Sequence, residues 1–383
     1  MILSRLPAGL AQRQVAGLYR RRQLVTGPQA PVLQTDGGEL LSFCSNDYLG
    51  LAADPRLAVA LTQAVQRYGV GAGAAHLISG HTAAHHGLEE ALAEFVGAER
   101  ALLFSTGYMA NLGVFTALVR PGDVILQDRL NHASLLDGAR LSAGRLRRYR
   151  HADMAHLQRL LAQTTGNCLI ASDSVFSMDG DSAPYAELIS LAKAYQAVLM
   201  VDDAHGFGVL GKQGRGSVDT AQVPVYMATL GKAVGVAGAF VAGSAELIET
   251  LIQQARSYVY TTAMPAALAE AAHVSLGILA AEEWRRAHLF ELIRFFRHEA
   301  DLVGLPLLPS ETPIQPLMLG TADKANTWSQ ALLQYGILVS AVRPPTVPQG
   351  SARLRITLSA AHTRVQVEQL LAALTHIFRQ HGV

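Results

Sequence analysis

From about residue 55 the chain alternates between short runs of consecutive apolar residues and longer stretches with helical spacing of apolar positions. The short runs are Ala101–Phe104, Val124–Gln127, Cys168–Ser172, Val198–Val201 and Val225–Thr229. Helical stretches such as Met109–Leu118 and Ala186–Ala194 separate most of them. Strands that are apolar on both faces and alternate with helices predict an α/β fold: a mostly parallel central sheet with helices on both faces. Ala239–Ala242 follows Val225–Thr229 too closely for a helical crossover, so it is expected as an antiparallel neighbour or edge.

The two ends read differently. Residues 8–24 suggest an amphipathic helix with Leu10, Val15 and Leu18 on one side, and a hairpin follows around Asp36-Gly37-Gly38. Beyond about residue 265, helices are expected over 265–281 and 283–303. Short strands follow near Pro313–Leu319, Ile337–Val339 and Leu354–Thr357, then a last helix over 363–380. This predicts three parts: an N-terminal helix and hairpin (1–50), a large α/β domain (51–270) and a smaller C-terminal α+β domain (271–383).

Composition narrows the partners. The 383 residues carry 31 Lys and Arg against 30 Asp and Glu, a net charge of +1. So even a balance gives no electrostatic case for nucleic acid or an anionic membrane surface. The basic runs Arg20–Arg22 and Arg145–Arg150 are short and read as solvated helix faces. Cys44 and Cys168 both stand among apolar residues and are expected as buried free thiols, with neither a disulfide framework nor a metal set. No apolar run is long enough for a signal peptide or a membrane span, so a cytoplasmic protein is expected.

Chemistry is expected at the carboxyl ends of the parallel strands. After the first run, Ser105-Thr106-Gly107-Tyr108 leads into a helix whose N-terminal N–H groups suit a phosphate. The others end in Asn131-His132-Ala133-Ser134, in Ser172–Asp181 with Ser177, in Asp202-Asp203-Ala204-His205, and in Thr229-Leu230-Gly231-Lys232. Each has a plainer reading alone: an ordinary turn glycine, a loop histidine, a polar turn, a capping aspartate, a solvated lysine. Together they point to one shared ligand. An aspartate ending a buried strand asks for a cation, such as a protonated pyridine nitrogen. A lysine in a close-packed loop of small residues makes an amine nucleophile toward an aldehyde, Thr229 offers a hydroxyl to a phosphate, and His132 offers a ring to stack on.

With these residues in place, the chain resembles the α-oxoamine synthases, a family of fold-type I pyridoxal-phosphate (PLP) transferases, from about residue 8 to 380. The matching segments are Ser45–Gly50, Asn131–Ser134, Val175–Asp181, Asp202–Gly206 and Gly231-Lys232. Arg343–Pro348, Ala352–Leu358 and Ile314–Leu317 resemble the members that join L-alanine to a pimeloyl thioester, carried on CoA or acyl-carrier protein.

The resemblance implies that Lys232 carries PLP as a Schiff base and later takes the alanine Cα proton. It implies that Asp202 pairs with the pyridine nitrogen and that His132 stacks on the ring. Ser177 and His205 would bond near the ring oxygen, while Gly107, Tyr108 and Thr229 would hold the phosphate side. Thr262 would reach the phosphate of the other subunit of a homodimer. Arg20, Asn46, His132 and Thr346 match substrate-contact positions, and Arg355 is the candidate for the substrate carboxylate. No metal is implied. Three departures stand out: the Gly71–Ala75 turn lacks the usual serine, Ser172-Asp173 replaces a glutamate-containing pair, and Ala233-Val234-Gly235 follows Lys232. The alternatives are a family member using glycine or serine and, from another class, a non-catalytic partner subunit or a ligand-binding module. Lys232 argues against the partner subunit, and the incomplete Gly-x-Gly-x-x-Gly at Val70–Ala75 argues against a dinucleotide module.

Overall fold

The computed structural model describes residues 2–382. In chain order its strands are β1 (Val32–Thr35), β2 (Gly38–Ser42), β3 (Arg100–Phe104), β4 (Val124–Asp128), β5 (Arg145–Tyr149), β6 (Cys168–Asp173) and β7 (Val198–Asp202). They continue with β8 (Val225–Thr229), β9 (Ala239–Gly243), β10 (Ile314–Gly320), β11 (Ile337–Leu338), β12 (Ser340–Val342) and β13 (Ala352–Thr357). The chain divides into two compact units. The larger holds residues 49–177 and 182–286, and the smaller holds residues 1–48, 178–181 and 287–383.

In the larger unit seven strands form one sheet in the order β3-β9-β8-β7-β6-β4-β5. Strands β4 to β8 run parallel. The β9 strand is antiparallel to both of its neighbours, β3 and β8, so it lies inside the sheet and not at its edge. Every residue of β4 and β6 is buried, as expected of strands covered on both faces. One core layer gathers Leu102, Val114, Phe115, Ile125 and Met200, and the other gathers Leu126, Tyr149, Ile170, Phe176 and Val201. Because the strands are parallel, the loops at their carboxyl ends come out on one edge, and those loops carry the candidate chemistry.

Three expectations change. The basic run Arg145–Arg150 contributes β5, an edge strand paired only with β4. Arg145 and Arg148 lie exposed along it, the kind of charge that discourages further strand pairing. The N-terminal helix stops at Val15, next to a left-handed Gly17, and none of its residues is buried. The boundaries also differ. Helix Ala266–Ala281 belongs whole to the larger unit, and the N-terminal hairpin joins the C-terminal part because β11 pairs in parallel with β2. The smaller unit's other sheet is antiparallel, in the order β10-β13-β12. Both cysteines are free, Cys168 buried and Cys44 partly so.

Candidate active site

The carboxyl ends of β4, β6, β7 and β8 surround a cavity of about 200 Å3 in the larger unit. Gly107, Tyr108, His132, Ser177, Asp202, His205, Thr229 and Lys232 all line it. A larger cavity of about 630 Å3 opens at the opposite strand ends, beside Cys168, Val198 and Val225. Open parallel sheets bind ligands at the carboxyl ends, and only the smaller cavity gathers the amine, imidazole and carboxylate groups.

Lys232 sits in a loop shaped by its own backbone. Leu230 N–H donates to Gly238 O (2.9 Å), Val236 N–H to Leu230 O (2.9 Å) and Gly235 N–H to Lys232 O (2.9 Å). Thr229 Oγ1 donates to Gly238 O (3.0 Å) and accepts from Gly231 N–H (3.2 Å). Gly235 has φ +73°, and a Cβ there would stand 2.5 Å from the Ala52 nitrogen, so only glycine fits. The loop brings Lys232 Nζ to 2.9 Å from His205 Nε2.

Asp202 ends β7 and is buried. Its Oδ1 accepts from Ala204 N–H (3.0 Å) and its Oδ2 from Asn111 Nδ2 (2.8 Å). The same Asn111 amide donates to Ser134 Oγ (2.8 Å), and Asn111 is fully buried. Asp173 faces Asp202 across the β6–β7 register. Burial first, then the Asp202 charge, pushes the Asp173 carboxyl well above its ordinary range. This favours a proton on Asp173 beside the Asp202 carboxylate. Asp173 Oδ2 accepts His132 N–H (2.7 Å). His132 caps helix Ala133–Leu141, with Nδ1 2.7 Å from Ser134 Oγ. Burial is the main cause lowering its pKa, so the imidazole is favoured neutral. On the other side Tyr108 opens helix Gly107–Leu118, its hydroxyl donating to Asp137.

Thr262 does not line the cavity. It is exposed, and its backbone bridges to Ala75. Arg20, Asn46, Thr346 and Arg355 belong to the smaller unit. There Arg20 Nη2 donates to Thr346 Oγ1 (3.1 Å) and Arg355 Nη2 to Asn46 Oδ1 (3.1 Å). Asn111 and Asp173 were not singled out as site residues from the sequence. Asn111 carried a readable signal, an amide inside the Met109–Leu118 stretch whose one other polar side chain is Thr116, and burial there demands a partner.

Comparison with known proteins settles the family. The aminotransferase class I and II family matches residues 38–374. An 8-amino-7-oxononanoate synthase of Thioalkalivibrio sulfidiphilus is 56% identical over 381 residues, covering 98% of this chain and 97% of that protein. The chain belongs to the 8-amino-7-oxononanoate synthase family. The solved 8-amino-7-oxononanoate synthase of Francisella tularensis superposes with a TM-score of 0.79 at 33% identity, covering 90% of this chain and 99% of that one. A serine palmitoyltransferase from S. paucimobilis, solved with a bound PLP–myriocin aldimine, gives a TM-score of 0.93 at 28% identity, covering 98% and 97%. The family therefore carries the fold-type I architecture expected from the sequence. Among the described residues, no helix is long and apolar enough to cross a membrane.

Proposed function

We propose that the chain holds PLP on Lys232 and condenses L-alanine with a pimeloyl thioester, on CoA or acyl-carrier protein. The products are 8-amino-7-oxononanoate for biotin synthesis, carbon dioxide and the free thiol. The observation that carries this reading is 56% identity over nearly the full length to an 8-amino-7-oxononanoate synthase, joined to a cavity that presents Lys232 and Asp202 together.

The donor set fits PLP. A buried carboxylate at a strand end suits a protonated pyridine nitrogen, and a neutral, buried imidazole suits the ring face. The N-terminus of helix Gly107–Leu118 suits a phosphate, and Thr229 lines the same cavity, where its hydroxyl would have to turn from Gly238 O to join in. Bound there, the cofactor supplies an electron sink for negative charge at the amino acid Cα.

The chain's own groups do the rest. Lys232 Nζ would anchor the cofactor, and the same amine, when not so engaged, would remove the alanine Cα proton and return it after carbon dioxide leaves. His132, which lines the cavity, would hold the ring. Ser177 and His205 would bond near the oxygen carried on the ring, and Gly107 and Tyr108 would hold the phosphate side. In the smaller unit Arg355 receives the substrate carboxylate as a bidentate fork, assisted by Asn46, while Arg20 and Thr346 meet the acyl substrate. The working form is a cytoplasmic homodimer in which Thr262, exposed and outside its own chain's cavity, serves the partner's phosphate.

Purified protein supplied with L-alanine, glycine or L-serine and with pimeloyl-CoA, pimeloyl-carrier protein or acetyl-CoA separates the possibilities. Carbon dioxide release and the mass of the amino ketone are the readouts. Alanine with a pimeloyl donor is expected to give the highest kcat/KM. A clear preference for glycine with acetyl-CoA, or no PLP-dependent turnover with any pair, overturns the assignment.

A further inference from the structure

A second group of titratable side chains lies in the larger unit, and none of its members lines the Lys232 cavity. It comprises His76, His81, His85, His86 and Glu89, and all but His85 line a separate cavity of about 260 Å3 together with Leu102 and Tyr258. The local sequence explains the convergence. Thr82 caps helix Ala83–Val96, which puts His86 and Glu89 three apart on one helical face with His81 just before the cap.

The hydrogen bonds sort the imidazoles by role. His85 is committed to structure: its Nδ1 accepts Thr82 N–H (3.1 Å) and its Nε2 meets the Met264 carbonyl (2.7 Å). His76 Nδ1 lies 3.0 Å from His81 Nδ1. His76 is buried, and its Nδ1 can accept that bond. If His81 donates Nδ1–H to it, the lone pair on His81 Nε2 faces Glu89 Oε2, 3.9 Å away. Glu89 Oε1 is fixed by Leu103 N–H (2.9 Å). Ligand atoms of His81, His86 and Glu89 all lie within 4.8 Å of one another.

We propose that His81, His86 and Glu89 bind a divalent transition-metal ion of the zinc class, with His76 fixing the His81 tautomer. Two imidazoles and a carboxylate are a borderline-soft donor set, and a fourth position would open to the cavity. Bonds of roughly 2.0–2.2 Å need ligand atoms about 3.4 Å apart, so the exposed His86 ring must rotate inward and His81 Nε2 and Glu89 Oε2, now 3.9 Å apart, must draw slightly together. His86 Nε2 now lies 3.4 Å from Glu90 Oε1, an exposed pair that offers little resistance. The His76–His81 contact is the outer hydrogen bond that metal-bound histidines ordinarily make through their second nitrogen.

The test uses tag-free, PLP-loaded protein, chelator-stripped, dialysed and titrated with Zn2+ by calorimetry and with Co2+ by visible absorbance. One equivalent per chain is expected, with the intense cobalt band of four-coordinate geometry. His86→Ala and Glu89→Gln should each weaken Zn2+ binding at least tenfold, and His76→Phe by about 10–100-fold. Circular dichroism confirms that each variant folds. Absence of stoichiometric binding overturns the proposal. So does binding that His86→Ala and Glu89→Gln leave unchanged, or binding lost instead in Lys232→Ala, which would place the ion in the other cavity.

Discussion

Replacing Lys232 by alanine is expected to reduce turnover by at least about 10⁴-fold, the upper end of what a positioned acid–base group contributes, because anchor and base are lost together. The fold should survive. The bonds that shape the loop, from Leu230, Val236 and Gly235 N–H and from Thr229 Oγ1, all end on backbone or on Thr229 itself. None needs the Lys232 side chain. Circular dichroism and thermal unfolding close to those of the parent protein would exclude collapse as the cause. Borohydride reduction followed by intact-mass measurement gives a readout independent of activity. The parent chain should gain one covalent PLP, and Lys232→Ala should gain none while still binding the cofactor reversibly through Asp202 and His132. Normal turnover in the variant, or a reduced adduct on a different lysine, would remove Lys232 from the mechanism.

The order of elements in the large unit was readable because its strands are buried on both faces and its helices keep their period, so both signals survive in one sequence. The antiparallel β9 was also readable, from the shortness of its connection to β8, but its inner position was not. That depends on β3 pairing with it across more than a hundred residues of chain. Arg145–Arg150 misled because an edge strand tolerates charge, and its alternation was hidden by two adjacent arginines, Arg147 and Arg148. Among the site residues, Ser177, Asp202, His205 and Lys232 were legible only as a set at neighbouring strand ends, and Asp173, at the end of β6, was not. Nor was the role of Asn111, because it depends on the Asp202 carboxylate lying 91 positions away. The exposure of Thr262 and its backbone bridge to the distant Ala75 are likewise invisible in sequence.

Asp202→Asn is expected to lower kcat by about 10²–10³-fold or more, the scale set by removing one preorganised electrostatic group from an active site. The substitution keeps the size of the side chain but not its hydrogen bonding. Both oxygens of Asp202 now face donors, Ala204 N–H and the Asn111 amide. An asparagine must turn its own NH2 toward one of them, at a stability cost of about 1–3 kcal/mol. Loss of stability alone would lower Tm and leave the spectrum of the bound cofactor unchanged. Loss of the counter-charge to the pyridine nitrogen would shift the pH midpoint of that spectrum. Asn111→Ala separates the two effects, because it keeps the carboxylate and removes only what orients it. About a tenfold fall in kcat with a smaller spectral shift is expected there, as for outer-shell partners of metal ligands. If Asp202→Asn kept both its rate and its spectral midpoint, the carboxylate would be structural and the cofactor nitrogen would need another partner. If Asn111→Ala instead lost as much as Asp202→Asn, orientation and not charge would be the larger part of what Asp202 contributes.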